Sequence, residues 1–328
     1  MIEAPRMPWG VILLFLCTSI VSGQQLRLED IPSSGLSPDS VSALPLGDTE
    51  RAALQDAVKS RDYPRAETLL AKEIERRPKS RELLTALGTI LFLDGKYLSC
   101  AIALKKAEAV SPLGDRDRFT LALSYIILKH PDWARPELEK LARSNPRDPL
   151  YPYWLGRLDY DAMQYKAAAA QLQEALDLDP MFMKAYDNLG LTYEALGQYD
   201  DAIRIYQQAV TLNRQQKLPS PWPPLNLGTL LVKLGRRPEA ENCLQESLRY
   251  DPRFPKAHYQ LGLLLEKQKR DEEAIRELTL AADSDPTYPE PYYVLGRMYE
   301  RRGEKEKADA AWAAFRKLKK GNGATPPR

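Results

Sequence analysis

Residues 184–210, KAYDNLGLTYEALGQYDDAIRIYQQAV, contain two runs of apolar and small residues, one on each side of Gly197. In both runs these residues recur every three or four positions, which is typical of amphipathic helices. Glycine readily adopts the left-handed conformation that ends many helices, so Gly197 indicates a tight turn. The stretch therefore predicts two short helices joined as a hairpin.

The same pattern recurs along the chain at a regular interval. A leucine followed by a small residue marks seven units: Leu87-Gly88, Leu121-Ala122, Leu155-Gly156, Leu189-Gly190, Leu227-Gly228, Leu261-Gly262 and Leu295-Gly296. The interval is 34 residues except between Gly190 and Gly228, where it is 38. A second small residue follows twelve positions later in each unit, and a proline ends most units. With a degenerate first unit, eight units start near residues 47, 81, 115, 149, 183, 221, 255 and 289.

The size of the unit predicts how the chain folds. A hairpin of 34 residues cannot bury its apolar face alone, so the units must stack on one another. Small residues such as Gly190 and Ala202 are expected to face each other across a hairpin, where two helices pack about 8–10 Å apart. We therefore predict an all-α solenoid over residues 47–322, followed by a disordered tail over residues 323–328.

Two units show the repeat most completely. Unit five contains Leu189, Gly190, Tyr193, Gly197, Tyr199, Ala202, Tyr206 and Ala209. Unit eight contains Tyr292, Leu295, Gly296, Tyr299, Gly303, Ala308 and Trp312. This pattern resembles the tetratricopeptide repeat (TPR) family. The resemblance implies a right-handed superhelix of about eight hairpins, whose first helices line a concave groove for peptides or protein segments.

The groove would be lined by positions 2, 5, 6, 9, 12 and 13 of each unit, which should point away from the second helix. The candidates for peptide binding are Tyr153, Arg157, Tyr160, Asn188, Trp222, Asn226, Tyr259, Gln260, Tyr293 and Arg297. Aromatic and arginine side chains dominate binding hot spots. The tyrosines have packing between helices as their alternative role.

Three of these candidates occupy the same place in successive units. Asn188, Asn226 and Gln260 all stand at position 6, and an amide can both donate to and accept from a peptide backbone. A row of amides could therefore hold an extended chain, which resembles the asparagine ladder of some TPR arrays. The alternative is that asparagine is simply common at this place.

The N-terminal residues predict export. Arg6 precedes an uncharged stretch with an apolar centre at residues 11–16, and the small Val21 and Gly23 favour cleavage before Gln24. We predict a signal peptide over residues 1–23 and a secreted or periplasmic protein. The alternative is an uncleaved N-terminal membrane anchor.

The segment that follows the signal is rich in serine and proline. Residues 24–46 therefore predict a flexible linker. The alternative is that Val41, Leu44 and Leu46 pack onto the first repeat as a cap.

The composition of the chain and the spacing of its histidines and cysteines argue against nucleic-acid binding, catalysis and a metal site. With 47 basic and 45 acidic residues, the net charge of +2 gives no field that would collect nucleic acid. His130 and His258 lie four units apart, as do Cys100 and Cys243, so neither pair can share a site or a disulfide. We predict no catalysis, cofactor or metal, and a scaffold or adaptor that binds a protein or peptide partner. The alternative is a structural part of an envelope, secretion or self-assembling complex.

Overall fold

The computed structural model describes residues 38–321, and this part of the chain contains seventeen α-helices and no β-strand. The predicted signal peptide, most of the predicted linker and the predicted tail lie outside the described residues. A short helix, α1 (Pro38–Ser42), precedes eight helical hairpins. Their first helices are α2 (Asp48–Lys59), α4 (Arg81–Leu93), α6 (Asp115–Ile127), α8 (Leu150–Asp161), α10 (Met183–Ala195), α12 (Trp222–Lys233), α14 (Pro255–Lys267) and α16 (Pro289–Arg301). Their second helices are α3 (Tyr63–Arg76), α5 (Tyr97–Val110), α7 (Pro131–Ser144), α9 (Tyr165–Leu178), α11 (Tyr199–Arg214), α13 (Arg237–Tyr250), α15 (Asp271–Ser284) and α17 (Lys305–Gly321).

The hairpins stack in chain order into a curved solenoid. Each first helix begins within one residue of its predicted unit start, and each second helix packs against the first helix of the next hairpin. First helices also contact one another directly: α4 contacts α6, α8 contacts α10, and α12 contacts α14. No two successive second helices within residues 38–321 are joined by comparable contacts. The first helices therefore lie on the inner side of the curve, and the predicted all-α solenoid of hairpins is confirmed.

Every hairpin turns through a left-handed residue at position 15. Four of these residues are glycines, with φ between 72° and 75°: Gly95, Gly197, Gly235 and Gly303. The other four have φ between 58° and 64°: Arg61, Lys129, Met163 and Lys269. In hairpin five, the next residue, Gln198, donates its backbone N–H to the Tyr193 carbonyl at 2.8 Å. This Schellman-type bond ends the first helix, and the same bond recurs in all eight hairpins.

Gly190 allows a large aromatic side chain to enter hairpin five. A Cβ atom at Gly190 would lie 2.2 Å from Cε1 of Tyr206, whose side chain is fully buried. The Tyr206 hydroxyl donates to Glu194 Oε1 at 3.0 Å. We expected Gly190 to face Ala202, but its nearest neighbour is Tyr206, because the phenol ring fills the space beside the glycine.

The four extra residues between hairpins five and six are held by hydrogen bonds. Helix α11 is two residues longer than α9, with 16 residues against 14. The Asn213 side chain exchanges two hydrogen bonds of 2.8 Å with the backbone of Ser220. Arg214 donates to both carboxylate oxygens of Glu246 on α13, at 2.7 and 2.6 Å. The apolar core divides within α11, one part reaching back to hairpin two and the other forward to hairpin eight.

Residues 38–46 cap the first hairpin, which corrects the predicted extent of the linker. Val41, Leu44 and Leu46 are buried and belong to one apolar cluster with Leu54 of α2. These side chains cover the face of α2 that has no preceding hairpin to pack against. The sequence allowed a flexible linker or a cap, and the structure shows a cap for residues 38–46.

Replacing Met163 by glycine should stabilise the protein. A non-glycine residue in the left-handed conformation costs about 1 kcal/mol, and the Met163 side chain is 74% exposed, so little packing is lost. We expect Met163→Gly to raise the free energy of unfolding in urea by about 0.5–1 kcal/mol. The control, Gly197→Ala at the same position of hairpin five, should lower it. A lower stability of Met163→Gly would contradict the strain assigned to this turn.

Gly190→Ala should lower the free energy of unfolding by about 1–3 kcal/mol, because the new methyl group collides with the Tyr206 ring. The cost should be smaller when Tyr206 is already leucine, since hairpin three pairs Ala122 with Leu138 at these two positions. Thermal unfolding of the two single variants and the double variant measures this coupling. Equal costs in both backgrounds would show that Tyr206 is not what limits the size of residue 190.

Candidate partner-binding surface

The inner wall of the solenoid is defined by positions 2, 5, 6, 9, 12 and 13 of the first helices, and at positions 5 and 9 it is less accessible in hairpin three than in hairpins seven and eight. At position 5, Phe119 and Tyr153 are each 2% exposed, whereas Tyr293 is 41% exposed. At position 9, Leu123 is fully buried, whereas Leu263 is half-buried. At positions 5 and 9 the chain's own side chains therefore close the wall in hairpin three, whereas at position 9 of hairpins six to eight Thr229 and Leu263 are half-buried and Arg297 is exposed.

Tyr153 is a packing residue, which corrects its assignment to the peptide groove. Its ring centroid lies 4.9 Å from that of Phe182, which precedes α10, and 5.7 Å from that of Trp154. The tyrosine therefore fills the contact between hairpins four and five. No partner can reach it without separating the two hairpins.

The two other candidates of hairpin four remain half-buried on the inner wall. The Arg157 guanidinium lies over the Trp154 ring, 4.6 Å from its centroid, in cation–π geometry. The Tyr160 ring packs edge-on against Tyr165 at 5.4 Å. Both side chains are held in place by aromatic neighbours while part of each stays accessible.

The predicted row of amides is not a row of equivalent groups. Asn188 is 7% exposed, and its Nδ2 donates to the Lys184 carbonyl of its own helix at 2.8 Å. Asn226 Nδ2 donates to Oδ1 of Asp187 at 2.8 Å and so ties hairpin six to hairpin five. Gln260 is half-buried. Asn188 is therefore corrected to a buried structural residue, because its side chain bonds within α10.

Trp222 lies at the contact between hairpins six and seven. Its ring packs edge-on against Phe254 at 5.0 Å, and the Lys256 ammonium lies 4.6 Å from its centroid. Trp222 is half-buried. One face of the Trp222 ring therefore already carries a cation.

Ion pairs join successive first helices on the inner wall. Arg297 donates to both oxygens of Glu266 at 2.9 and 2.7 Å, and Arg301 donates to the same carboxylate at 2.7 Å. Between hairpins five and six, the Lys233 ammonium lies 3.7 Å from Glu194. These charged side chains of the inner wall are therefore already paired with opposite charges within the protein itself.

Tyr259 and Tyr293 form the aromatic part of the accessible wall. The Tyr259 ring packs edge-on against Tyr288 at 5.3 Å, and burial raises the pKa of Tyr259. Its hydroxyl therefore remains a neutral donor and acceptor at physiological pH. The Tyr293 ring rests against Trp312 and Phe315 of α17, at 5.3 Å from each.

Sequence reasoning did not select four charged residues of this surface. They are Glu194, Lys233, Lys256 and Arg301, which stand at positions 12, 13, 2 and 13 of their units. These are the same rows that were used to choose the other candidates. A search for opposite charges on these rows of neighbouring units would have found Glu194 with Lys233.

The two cysteines lie on second helices and His130 lies at a turn, so none of them belongs to the inner wall. Cys100 on α5 and Cys243 on α13 are unbonded, and burial raises their pKa values to about 12 and about 11. Both thiols are therefore protonated near neutrality and are poor nucleophiles. His130 stacks on Trp133 at a turn, with ring centroids 4.2 Å apart.

Neither a metal cluster nor a membrane span is found in the described part of the chain. Across residues 38–321, no three His, Cys, Asp or Glu side chains are grouped as metal ligands. Over the same residues, no helix combines the length and the apolar character needed to cross a bilayer.

Asn226→Leu should lower the free energy of unfolding by about 1–3 kcal/mol, because the Asp187 carboxylate, 9% exposed, loses a hydrogen bond from the next hairpin. The control is Gln260→Leu at the same position of hairpin seven, which we expect to cost less. Urea denaturation of both variants tests the contact. An equal cost at the two positions would argue against a specific role for Asn226.

Sequence comparison finds the repeat over much of the chain. Family models described as tetratricopeptide repeat match residues 51–112, 183–253 and 225–289, and one described as TPR repeat matches residues 156–197. Together these matches cover more than half of the chain. The TPR repeat-containing protein YpiA of Bacillus subtilis is 30% identical over 174 residues, which are 52% of this chain and 40% of YpiA. The chain thus spans less than half the length of this curated relative.

Solved structures show the same architecture. A tetratricopeptide repeat protein from Parabacteroides merdae aligns with a TM-score of 0.59 and 18% identity, over 84% of this chain and 99% of its own. The Cut9–Hcn1 hetero-tetramer of the APC/C contains a chain that aligns with a TM-score of 0.54 and 19% identity, over 75% of this chain and 48% of its own. At these identities the likeness concerns the fold. The repeats, the stacked hairpins and the family matches agree, and the chain belongs to the tetratricopeptide repeat family.

Proposed function

We propose that this chain is a scaffold that binds an extended segment of a partner protein along the inner wall of hairpins six to eight. The TPR fold supports a role in protein–protein interaction, and TPR proteins are generally scaffolds without catalytic activity. The observation that carries the location is the exposure at position 9, where Thr229 and Leu263 are half-buried and Arg297 is exposed, together with the 41% exposure of Tyr293 at position 5 of hairpin eight. A partner segment needs accessible side chains, and this part of the wall has them.

The accessible side chains favour a segment without strong net charge. Thr229, Tyr259 and Gln260 offer neutral donors and acceptors that suit a peptide backbone, and Leu263 offers an apolar contact. Some of the charged groups beside them are already occupied, as in the pairing of Glu266 with two arginines. An acidic or basic tail would have to break these pairs, whereas an uncharged extended segment would not.

The decisive test blocks the wall without disturbing the fold. Thr229 stands at position 9 in the middle of the accessible wall and is half-buried, whereas Thr211 is exposed on the second helix α11. We expect Thr229→Arg to reduce capture of the partner from an extract of the source organism at least tenfold, because the long side chain fills the wall. Thr211→Arg adds the same group elsewhere and should capture as well as the unmodified protein.

Equal capture of the same partners by both variants would overturn the location on the inner wall. The captured partner, once purified, allows a second measurement. Its affinity should change little between about 0.1 and 1 M salt, because an uncharged segment forms no ion pairs that salt could screen. A steep loss of affinity with salt would instead indicate a charged segment bound elsewhere.

We also propose that the protein is exported, on the evidence of residues 1–23 alone. A basic residue, an apolar centre and small residues before Gln24 support it. N-terminal sequencing of the protein purified from its source should then begin at Gln24. A sequence beginning within residues 1–6 would contradict cleavage and favour the anchor.

A further inference from the structure

We propose that His258 forms a pH-responsive joint in hairpin seven, which holds α14 to its neighbours in acidic solution and loosens as the pH rises past neutrality. His258 lies on α14 and is 6% exposed. Its Nδ1 lies 2.7 Å from Oε2 of Glu277 on α15, and its Nε2 lies 3.1 Å from the Pro252 carbonyl in the turn before α14. The ring thus bridges the second helix of its own hairpin and the connection from hairpin six.

The two contacts require two protons on the ring. An ionised carboxylate and a backbone carbonyl can only accept hydrogen bonds, so both ring nitrogens must donate. A neutral imidazole carries one N–H and can satisfy one of the two acceptors. Deprotonation therefore removes one contact and leaves a nitrogen lone pair facing an oxygen.

The repeat supplies internal comparisons for this site. His258 stands at position 4, where hairpin three has Arg118, and Arg118 forms an ion pair with Glu137. Glu137 and Glu277 both stand at position 23 of their units. The same contact is therefore made by a permanent cation in hairpin three and by a titratable one in hairpin seven.

Hairpin five shows the contact with the proline carbonyl by itself. Tyr186, also at position 4, donates its hydroxyl to the Pro180 carbonyl at 3.1 Å. Pro180 and Pro252 both stand at position 32 of the preceding unit. His258 thus combines the two contacts that Arg118 and Tyr186 make separately, and its ordinary pKa of about 6.5 lies near neutrality.

The charges around the ring determine the direction of the pH effect. Burial disfavours the charged ring, but Glu277 of α15, the Pro252 carbonyl and Asp251 in the turn between α13 and α14 favour it, so the pKa of His258 lies above its ordinary value. A group whose pKa is raised on folding stabilises the protein fully below its unfolded pKa, about 6.5. That stability is lost as the pH rises through the folded pKa.

The joint also bears on the partner surface. Tyr259 and Gln260 directly follow His258 on α14. A change in how α14 is held would move these side chains, and partner affinity should then fall with rising pH. This consequence rests on the proposed function, whereas the joint itself does not.

Amide hydrogen exchange of the full chain at about pH 6, 7 and 8, corrected for the intrinsic effect of pH on exchange, tests the joint. We expect the opening equilibrium constant of α14 to rise by up to tenfold per pH unit between about 6.5 and the folded pKa. Helices α6 and α7 serve as the control within the same molecule, because Arg118 does not titrate in this range. Their opening should not respond in this way.

His258→Arg recreates the ion pair of hairpin three, and His258→Tyr recreates the carbonyl contact of hairpin five. Both should abolish the pH dependence of α14. An unmodified α14 whose opening does not change with pH, or a pH dependence that persists in His258→Arg, would overturn the joint. If neither variant folds, NMR of the His258 ring nitrogens decides: both should be protonated at about pH 6, and a neutral ring there would refute the proposal.

Partner binding separates the two proposals. If opening of α14 follows pH and partner affinity falls in parallel, both the joint and the location of the partner surface are supported. If opening follows pH while affinity stays constant, the joint stands and the location of the surface on hairpin seven is wrong. If Thr229→Arg abolishes binding while α14 does not respond to pH, the surface stands and the joint is refuted.

Discussion

The close approach of two helices within each hairpin is the contact on which the rest of the molecule depends. At position 20 the side chain is small and almost completely buried in all eight hairpins: Ala66, Cys100, Ala134, Ala168, Ala202, Ala240, Ala274 and Ala308. A larger residue there would push the helices beyond their packing distance of about 8–10 Å. Because a single hairpin buries too little apolar surface, each one must also share its core with the next.

Curvature follows from how the hairpins share that core. Each second helix packs against the following first helix, and first helices also touch one another, so the first helices converge on the inner side. Side chains on the inner side of successive first helices are thereby brought together. This explains why Asp187 meets Asn226 and why Glu266 meets Arg297, although each pair is separated by more than 30 residues in sequence.

The repeat also allows side chains of different chemistry to occupy the same position of successive hairpins. Position 4 has Arg118, Tyr186 and His258 in hairpins three, five and seven. Arg118 contacts the glutamate at position 23, Tyr186 contacts the proline carbonyl at position 32 of the preceding unit, and His258 contacts both. All three residues lie at the same position of a first helix, so the side chain decides whether the link carries a charge and whether it titrates. Hairpins that share one fold can therefore differ in how they respond to pH.

The sequence by itself was sufficient for the hairpins and their order. The spacing of leucine and small residues placed the start of every first helix within one residue, because a helix and its turn depend on neighbours in the chain. Gly197 was enough to predict the turn of hairpin five. The non-glycine turns, such as Met163, adopt the same conformation because the packing of two helices outweighs a local preference of about 1 kcal/mol.

Which side chains are accessible on the inner wall was decided by the tertiary structure. Tyr153 and Tyr293 stand at the same position of their units, yet the first is enclosed by Phe182 and Trp154 and the second is 41% exposed. Asn188 and Asn226 likewise share a position but bond to different partners. Exposure and pairing depend on side chains contributed by other hairpins, and the pattern within one unit contains no information about them.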